Sequence, residues 1–419
     1  MRNYGRYPVE FVRGEGAWLF DPEGRGYLDL MSGISMINAG HCHPDVVAAI
    51  RDQAGTLINT SNLYYTEPMV ELAEWIRDTS MGGRVFFCNS GSEAADTALK
   101  IALAYWVARG QGQRTRFIGR ERGYHGVGFG GMAVGGLANN RKAFGAMLPG
   151  VDHLPHTYNR EHQAYSKGEP EWGAHLADEL ERIVALHSDT TIAGVIVEPM
   201  AGSTAVLPAP QGYLKRLRQI CDKYGLLLIF DEVITGFGRL GHAFAAERYG
   251  VVPDMITFAK GVTSGSVPMG GVICRKGIHD AFMTGPEHVV EFFHGYTYSA
   301  HPLACAAGLA TLDLYRDEDL FARAKKIEPM WYDAAMSLKG LPNVLDIRCV
   351  GLTAAVDLAS KPDAVGKRGY EAMERGFHDE NIMFRIVGDS LAVTPPLIVS
   401  ESQIGEIFDK LGKVIKAVA

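Results

Sequence analysis

Two charged residues stand at the ends of apolar runs. Lys260 closes Asp254-Met-Ile-Thr-Phe-Ala before a glycine, and Asp231-Glu232 closes Leu226-Leu-Leu-Ile-Phe. Both runs are short and rich in β-branched or aromatic residues, as strands buried on both faces are. The carboxyl ends of such strands form the ligand crevice of an open α/β sheet. A lysine there can form a Schiff base with an aldehyde, and its apolar run lowers the amine pKa and favours the neutral nucleophile. A carboxylate there can keep a ring nitrogen protonated. The pair suggests pyridoxal phosphate (PLP), whose aldehyde and pyridinium need those two partners. Each group also has a plainer reading: Lys260 as a snorkelling surface lysine, Asp231 as a helix cap or metal ligand.

A third part of the same site is expected at Cys88-Asn-Ser-Gly-Ser-Glu-Ala94, where a strand gives way to a helix. Free amides at a helix start, with the hydroxyls of Ser90 and Ser92 and the bare backbone of Gly91, make a phosphate seat. By itself, Ser-Gly-Ser before a helix is as well explained by an N-cap. Tyr124-His125-Gly126 offers an aromatic ring to lie against a flat cofactor, with a core tyrosine as the alternative. The stretch Gly126-Val-Gly-Phe-Gly-Gly131 has the spacing of a dinucleotide loop. It lacks the strand-turn-helix context, and the next residues, Met132-Ala-Val-Gly-Gly-Leu-Ala-Asn-Asn, are too glycine-rich to predict a helix.

The elements that position these groups follow from patterning. From residue 66 to 310, helical stretches alternate with short buried strands at Arg84-Val-Phe-Phe-Cys, Thr115-Arg-Phe-Ile-Gly, Ile192-Ala-Gly-Val-Ile-Val, Leu226–Phe230 and Met255–Phe258. That alternation predicts an α/β fold with a mostly parallel sheet covered by helices. Residues 311–419 turn helix-rich, with strand signals at Val344-Leu-Asp-Ile-Arg and Leu391-Ala-Val-Thr, and read as a smaller α+β domain. Residues 1–65 carry strand patches at Ala17-Trp-Leu-Phe and Gly26-Tyr-Leu-Asp-Leu and a helix from Pro44 through Leu57, and are expected to join that smaller domain.

With 419 residues the chain is long enough for two domains. A net charge of −7 and a pI of about 6.1 give no basic field for nucleic acid or anionic membrane. The start, Met1-Arg-Asn-Tyr-Gly-Arg-Tyr-Pro, has no apolar h-region, and no apolar run approaches a membrane span, so a cytoplasmic protein is expected. Six scattered cysteines without a CxxC pair read as free thiols. His41-Cys42-His43 resembles a metal cluster only superficially, because adjacent side chains point apart, and no metal is expected.

In the order they occur, these segments resemble the class III aminotransferases, PLP enzymes of fold type I, over essentially the whole chain. The resemblance is carried by Ser90-Gly-Ser-Glu-Ala, Tyr124-His-Gly, Val197-Glu-Pro, Phe230-Asp-Glu-Val-Ile-Thr-Gly-Phe-Gly-Arg239, Phe258-Ala-Lys-Gly and His294-Gly-Tyr-Thr-Tyr-Ser-Ala-His-Pro302. It implies that Lys260 is the Schiff-base lysine and general base, and that Asp231 pairs with the pyridine nitrogen. Val233 would pack on the ring face opposite Tyr124, with His125 beside them. Ser90, Gly91 and Ser92 would hold the phosphate, and Glu198 would sit near the substrate end. Thr297 would reach the phosphate of a neighbouring subunit, so a homodimer is implied. Arg385 resembles the family's mobile arginine, which pairs with a substrate carboxylate and withdraws for an apolar amine.

Within the class the sequence is composite. Its first hundred residues, with Val9-Glu-Phe-Val-Arg-Gly-Glu-Gly and Ser61-Asn-Leu-Tyr-Tyr-Thr-Glu-Pro, resemble acetylornithine aminotransferases. From Tyr124 onward it is similar to ω-amino acid (β-alanine):pyruvate aminotransferases. Acetylornithine enzymes carry an arginine directly after His-Gly, and here that place is Val127. The ω-transaminase pattern often has tryptophan where Ser35 stands, which implies a substrate pocket of altered size. The resemblance therefore implies amino transfer from an ω-amino acid or primary amine to pyruvate. The alternative is an acetylornithine/ornithine or 4-aminobutyrate aminotransferase using 2-oxoglutarate.

Overall fold

The buried apolar runs form five parallel strands in one seven-stranded sheet. Its order is Arg84–Cys88, Gly270–Cys274, Met255–Ala259, Leu227–Asp231, Ile192–Val197, Arg116–Arg120 and Val151–Leu154. The computed structural model describes residues 5–145, 147–286, 288–290 and 292–419. The strands from Met255–Ala259 through to Val151–Leu154 run parallel, while Gly270–Cys274 is antiparallel to both of its neighbours. The sheet is thus mostly parallel, as the alternating pattern predicts.

Two of its strands, Val151–Leu154 and Gly270–Cys274, carry too weak a signal to be expected from sequence. The second opens on two glycines, which ordinarily weaken a strand. Here they are required. A Cβ on Gly271 would lie 2.5 Å from Phe258 Cζ and 2.6 Å from the Phe86 carbonyl oxygen, so only glycine lets this strand slot between its neighbours. The glycine-rich stretch after Gly128 corrects another expectation, because it does form a short helix, Phe129–Val134. Asp96 explains it: its Oδ1 accepts the Gly131 amide at 2.7 Å, and the methyls that Gly128 and Gly130 lack would collide with its carboxylate.

A second, four-stranded antiparallel sheet is built from Val344–Cys349, Ala354–Leu358, Ser390–Val393 and Arg385–Val387, adjacent in that order. One face packs on helices Leu320–Met336 and Glu401–Ala417 through Trp331, Phe408 and Leu411. On the other face, Ala355 and Ala392 share an apolar cluster with the main sheet's helices. The N-terminal strands Arg13–Glu15, Trp18–Phe20 and Gly26–Asp29 pair with one another and with Ile382–Met383, so the two chain ends meet. The predicted helix after His43 spans Pro44–Thr56, and Leu57 lies just beyond it in extended backbone. Helix Pro302–Asp317 packs against Pro44–Thr56 and Glu67–Thr79 and runs continuously past residue 310. Among the described residues, no helix is long and apolar enough to cross a membrane.

Candidate active site

Four adjacent parallel strands deliver the site. Arg116–Arg120 leads into Tyr124 and His125, Ile192–Val197 into Glu198, Leu227–Asp231 ends on Asp231, and Met255–Ala259 is followed at once by Lys260. The helix Gly91–Ala108 closes the crevice from the side. The result is a cavity of about 150 Å³ lined by Gly91, Ser92, Tyr124, His125, Glu198, Asp231, Val233 and Lys260, with Ile234 and Ala259. Eight residues expected from sequence thus meet in one place.

Lys260 adopts φ 50°, the left-handed region that non-glycine residues rarely enter, as the first residue of the turn Lys260–Thr263. Backbone strain of this kind concentrates at functional sites. Burial pushes its amine down to about 8, against the opposing pull of Asp231 and Glu198. Asp231 is buried, and its Oδ2 accepts from His125 Nδ1 at 2.7 Å while Oδ1 accepts the Val233 amide at 3.1 Å. His125 therefore sits behind Asp231 and orients it. Glu198 is also buried, which raises its pKa, with Asp231 adding to the effect and His125 opposing it. Its two oxygens accept the amides of Tyr124 at 2.9 Å and Gly202 at 3.2 Å, tying two site loops together.

The neighbouring acid has a different task. Glu232 accepts the amides of Ala245 and Ala246 and the Thr235 hydroxyl, and burial raises it to about 7. Of the acid pair, Glu232 caps a helix and only Asp231 faces the cavity. Ser90 likewise does not line it: its hydroxyl accepts the Glu93 amide as the N-cap of Gly91–Ala108. Ser35 lies beside the main cavity, in a small recess with Arg385, and its hydroxyl donates to Thr394 at 3.0 Å. Arg385 is half-buried, and its guanidinium donates to the Ser203 carbonyl at 3.3 Å. Thr297 is exposed, outside the cavity of its own chain. Among the described residues no group of three His, Cys, Asp or Glu is placed to hold a metal ion, and His41 pairs with Asp29 at 2.9 Å.

The cavity fits PLP. Gly91 and Ser92 open an 18-residue helix, whose first-turn amides have no helical carbonyl to serve and so form an anion seat. Gly91 must be bare, since a Cβ would come within 3.0 Å of the Val233 methyls. Gly126, at φ 96°, is equally bare against Ser92, where a Cβ would meet Oγ at 2.5 Å. Asp231 lies at the crevice floor, and Lys260 is the amine that would meet an aldehyde.

Sequence reasoning missed several supporting groups. Arg239, fully buried, donates to Asn38 at 2.7 Å and to the Pro395 carbonyl at 2.6 Å, lacing the two chain ends to the site's floor. Its position at the end of the Phe230–Arg239 motif was the available signal. Arg120, which donates to the Glu198 carbonyl at 2.8 Å, and Arg348 had no such signal.

An α/β crevice with a half-buried lysine, a carboxylate on its floor and a helix-borne anion seat defines a PLP enzyme of fold type I. The aminotransferase class-III family model matches residues 1–415. The chain is 52% identical to an omega-aminotransferase of Caulobacter vibrioides, covering 99% of this chain and 95% of that protein. It is 44% identical to a beta-alanine–pyruvate aminotransferase of Pseudomonas aeruginosa, covering 100% and 94%. A PLP-bound amine transaminase from an uncultivated Pseudomonas species superposes with a TM-score of 0.91 at 32% identity, covering 100% of this chain and 98% of that one. The chain belongs to the class III aminotransferases and is a PLP-dependent enzyme.

Proposed function

We propose that this aminotransferase moves an amino group from an ω-amino acid or primary amine to pyruvate, as an ω-transaminase. The observation that carries the reading is Arg385. Among the described residues it makes no ion pair, and its hydrogen bond goes to a neutral carbonyl, so its charge is available to a substrate carboxylate. Val127, where acetylornithine enzymes carry an arginine, removes the fixed alternative and disfavours the 2-oxoglutarate reading. Relatives named for β-alanine and pyruvate agree with it.

When bound, PLP supplies an aldehyde that carries the amino group and a ring that draws electrons from the substrate carbon. The chain's own groups then have distinct tasks. Lys260 presents a neutral amine that takes the proton from the substrate carbon and returns it on the cofactor side. Asp231, oriented by His125, holds a proton at the ring nitrogen. Gly91 and Ser92 bind the phosphate, Ser90 caps their helix, Tyr124 and Val233 bracket the ring, and Glu198 sets the Tyr124 turn against the substrate side. Ser35 widens the small recess beside Arg385. Residues 66–310 make the larger domain and 1–65 with 311–419 the smaller, joined along helix Pro302–Asp317. The six free cysteines suit a reducing cytoplasm.

Arg385 gives the test. Arg385→Ala is expected to raise KM for pyruvate and β-alanine by an amount equivalent to roughly 2–5 kcal/mol where the pair is desolvated. The half-reaction with 1-phenylethylamine, which has no carboxylate, changes far less. Equal losses for both kinds of substrate would leave Arg385 as a packing residue.

The chain should act as a homodimer, with Thr297 of each copy completing the other's phosphate site. Leu63, Tyr65 and Phe293, which are 85%, 87% and 90% exposed, are large side chains that a second copy could cover. Sedimentation of the holoenzyme is expected to give a dimer that loses cofactor as it dissociates. A PLP-saturated, active monomer would refute the arrangement.

A further inference from the structure

Arg385 and Arg348 stand in one row of the small sheet. Arg385 pairs across strands with Ala392, Ala392 with Ala355, and Ala355 with Arg348. Directly paired residues of an antiparallel ladder project from the same face. The two guanidinium groups therefore rise from one face, three strand spacings or roughly 14 Å apart. Between them are only the methyls of two alanines.

One loop spans that gap. Arg385 donates to the Ser203 carbonyl at 3.3 Å. Arg348 donates to the Ala205 carbonyl at 2.9 Å and the Val206 carbonyl at 3.1 Å. Ala205 and Val206 are themselves strained, with φ 65° and 53° in succession, and Val206 is β-branched. Such residues persist only where their surroundings over-determine them. Buried with Ala355 in a single apolar cluster, they have Arg348 as the group that grips their backbone.

Arg348 is itself fixed from behind. Its guanidinium makes ion pairs of 2.6 Å to Asp346 and to Asp357, the latter bidentate with a second contact of 2.9 Å. With the two loop carbonyls, all five N–H donors are used. The carboxylates are held in turn: Tyr158 donates to both, Ser390 to Asp357, and the Tyr165 amide to Asp346. Nothing in the transamination chemistry uses this network, which touches neither Lys260 nor the cavity lining.

We propose that Arg348 is a positioning residue for substrate recognition: it pins the Ala205–Val206 segment to the small sheet so that the Ser203 carbonyl anchors Arg385 beside the cavity. The proposal rests on the reading of Arg385 as the carboxylate-binding arginine. A single bond to a neutral carbonyl occupies one of that guanidinium's donors and leaves its charge unpaired. The rest of the fork stays free for a carboxylate, so the carbonyl preorganises Arg385 without competing for it. Freeing the loop makes each carboxylate substrate bear the cost of ordering the arginine.

The test is a double-mutant cycle on the holoenzyme. Arg348→Lys keeps the charge opposite Asp346 and Asp357 but has too few donors, in the wrong geometry, for the loop carbonyls as well. It is expected to raise KM for pyruvate about tenfold, with kcat and the 1-phenylethylamine half-reaction within about twofold of wild type. In an Arg385→Ala background the same change should shift KM for pyruvate by less than about twofold, because the two residues act through one route. Ala355→Val, which crowds the loop from beneath and keeps both guanidinium groups, should reproduce the selective rise, and it decides the matter where Arg348→Lys does not fold. An unchanged or lowered KM, a uniform loss on both substrate kinds, or an undiminished effect in the Arg385→Ala background would each overturn the clamp. If Arg385→Ala alone fails to separate pyruvate from 1-phenylethylamine, the carboxylate reading of Arg385 fails instead.

Discussion

Replacing Lys260 with alanine is expected to leave the fold intact and to lower kcat by about 10⁴-fold or more, since the proposed function makes one residue both the covalent partner of the cofactor and the proton carrier. The fold survives because Lys260 heads a short turn that its side chain does not hold: its carbonyl accepts the Gly265 amide at 3.3 Å, and the other bonds belong to its neighbours. Tyr315 donates to the Gly261 carbonyl at 2.7 Å, and Thr263 to the Val267 carbonyl at 2.7 Å. The variant should still take up PLP at the anion seat, but without the absorbance of a lysine-bound cofactor. Its pH behaviour carries a sign. Burial lowers the amine to about 8, so the neutral, reactive form grows as pH rises through that value, well below the range of an exposed lysine. Capture of added PLP by the cofactor-free wild-type protein should therefore accelerate up to about pH 8 and then level. Near-normal turnover by Lys260→Ala would remove it from the chemistry. A capture rate still climbing toward about pH 10, the range of an ordinary lysine, would show an amine that is not buried in solution.

The site was legible in the sequence where residue type and strand position coincide. Lys260 and Asp231 end mainly apolar runs, and that pattern sets them at the carboxyl edge of a parallel sheet. Ser90-Gly-Ser before a helical run was equally plain, although its parts divide the work differently: Ser90 caps while Gly91 and Ser92 face the cavity. Features that depend on register could not be read. That Asp231 rather than Glu232 enters the cavity is a matter of which side of one strand faces inward, and the family resemblance, not the apolar pattern, singled out Asp231. Gly270–Cys274 gives little strand signal because its glycines exist to admit neighbouring backbone, a requirement created by tertiary contact. The row joining Arg348 to Arg385 arises only when four strands align, and it spans residues 348 to 392 with no local motif. The helix Phe129–Val134 was missed for a related reason. Propensity argues against it, and Asp96, far away in sequence, holds its first turn.

Asp231→Asn should be nearly silent in structure and severe in rate. Asparagine keeps the size of the side chain: its carbonyl oxygen can still accept the Val233 amide, while its NH2 takes the place of the oxygen that faced His125 Nδ1 and can donate to that nitrogen in the other imidazole tautomer. What is lost is charge. A neutral amide beside the ring nitrogen no longer favours a proton there, and without that proton the ring draws electrons weakly just when the substrate carbon gives up its hydrogen. Proton abstraction should slow by about 10²-fold or more, the scale on which a preorganised electrostatic group acts in a closed site. PLP should remain bound, because the phosphate seat at Gly91 and Ser92 and the amine of Lys260 are untouched. Single-turnover half-reactions isolate the step, with amine and keto acid offered separately to protein of matched cofactor content. Wild-type rates in both directions would make Asp231 a structural acid, held for the sake of His125 and the Val233 turn alone.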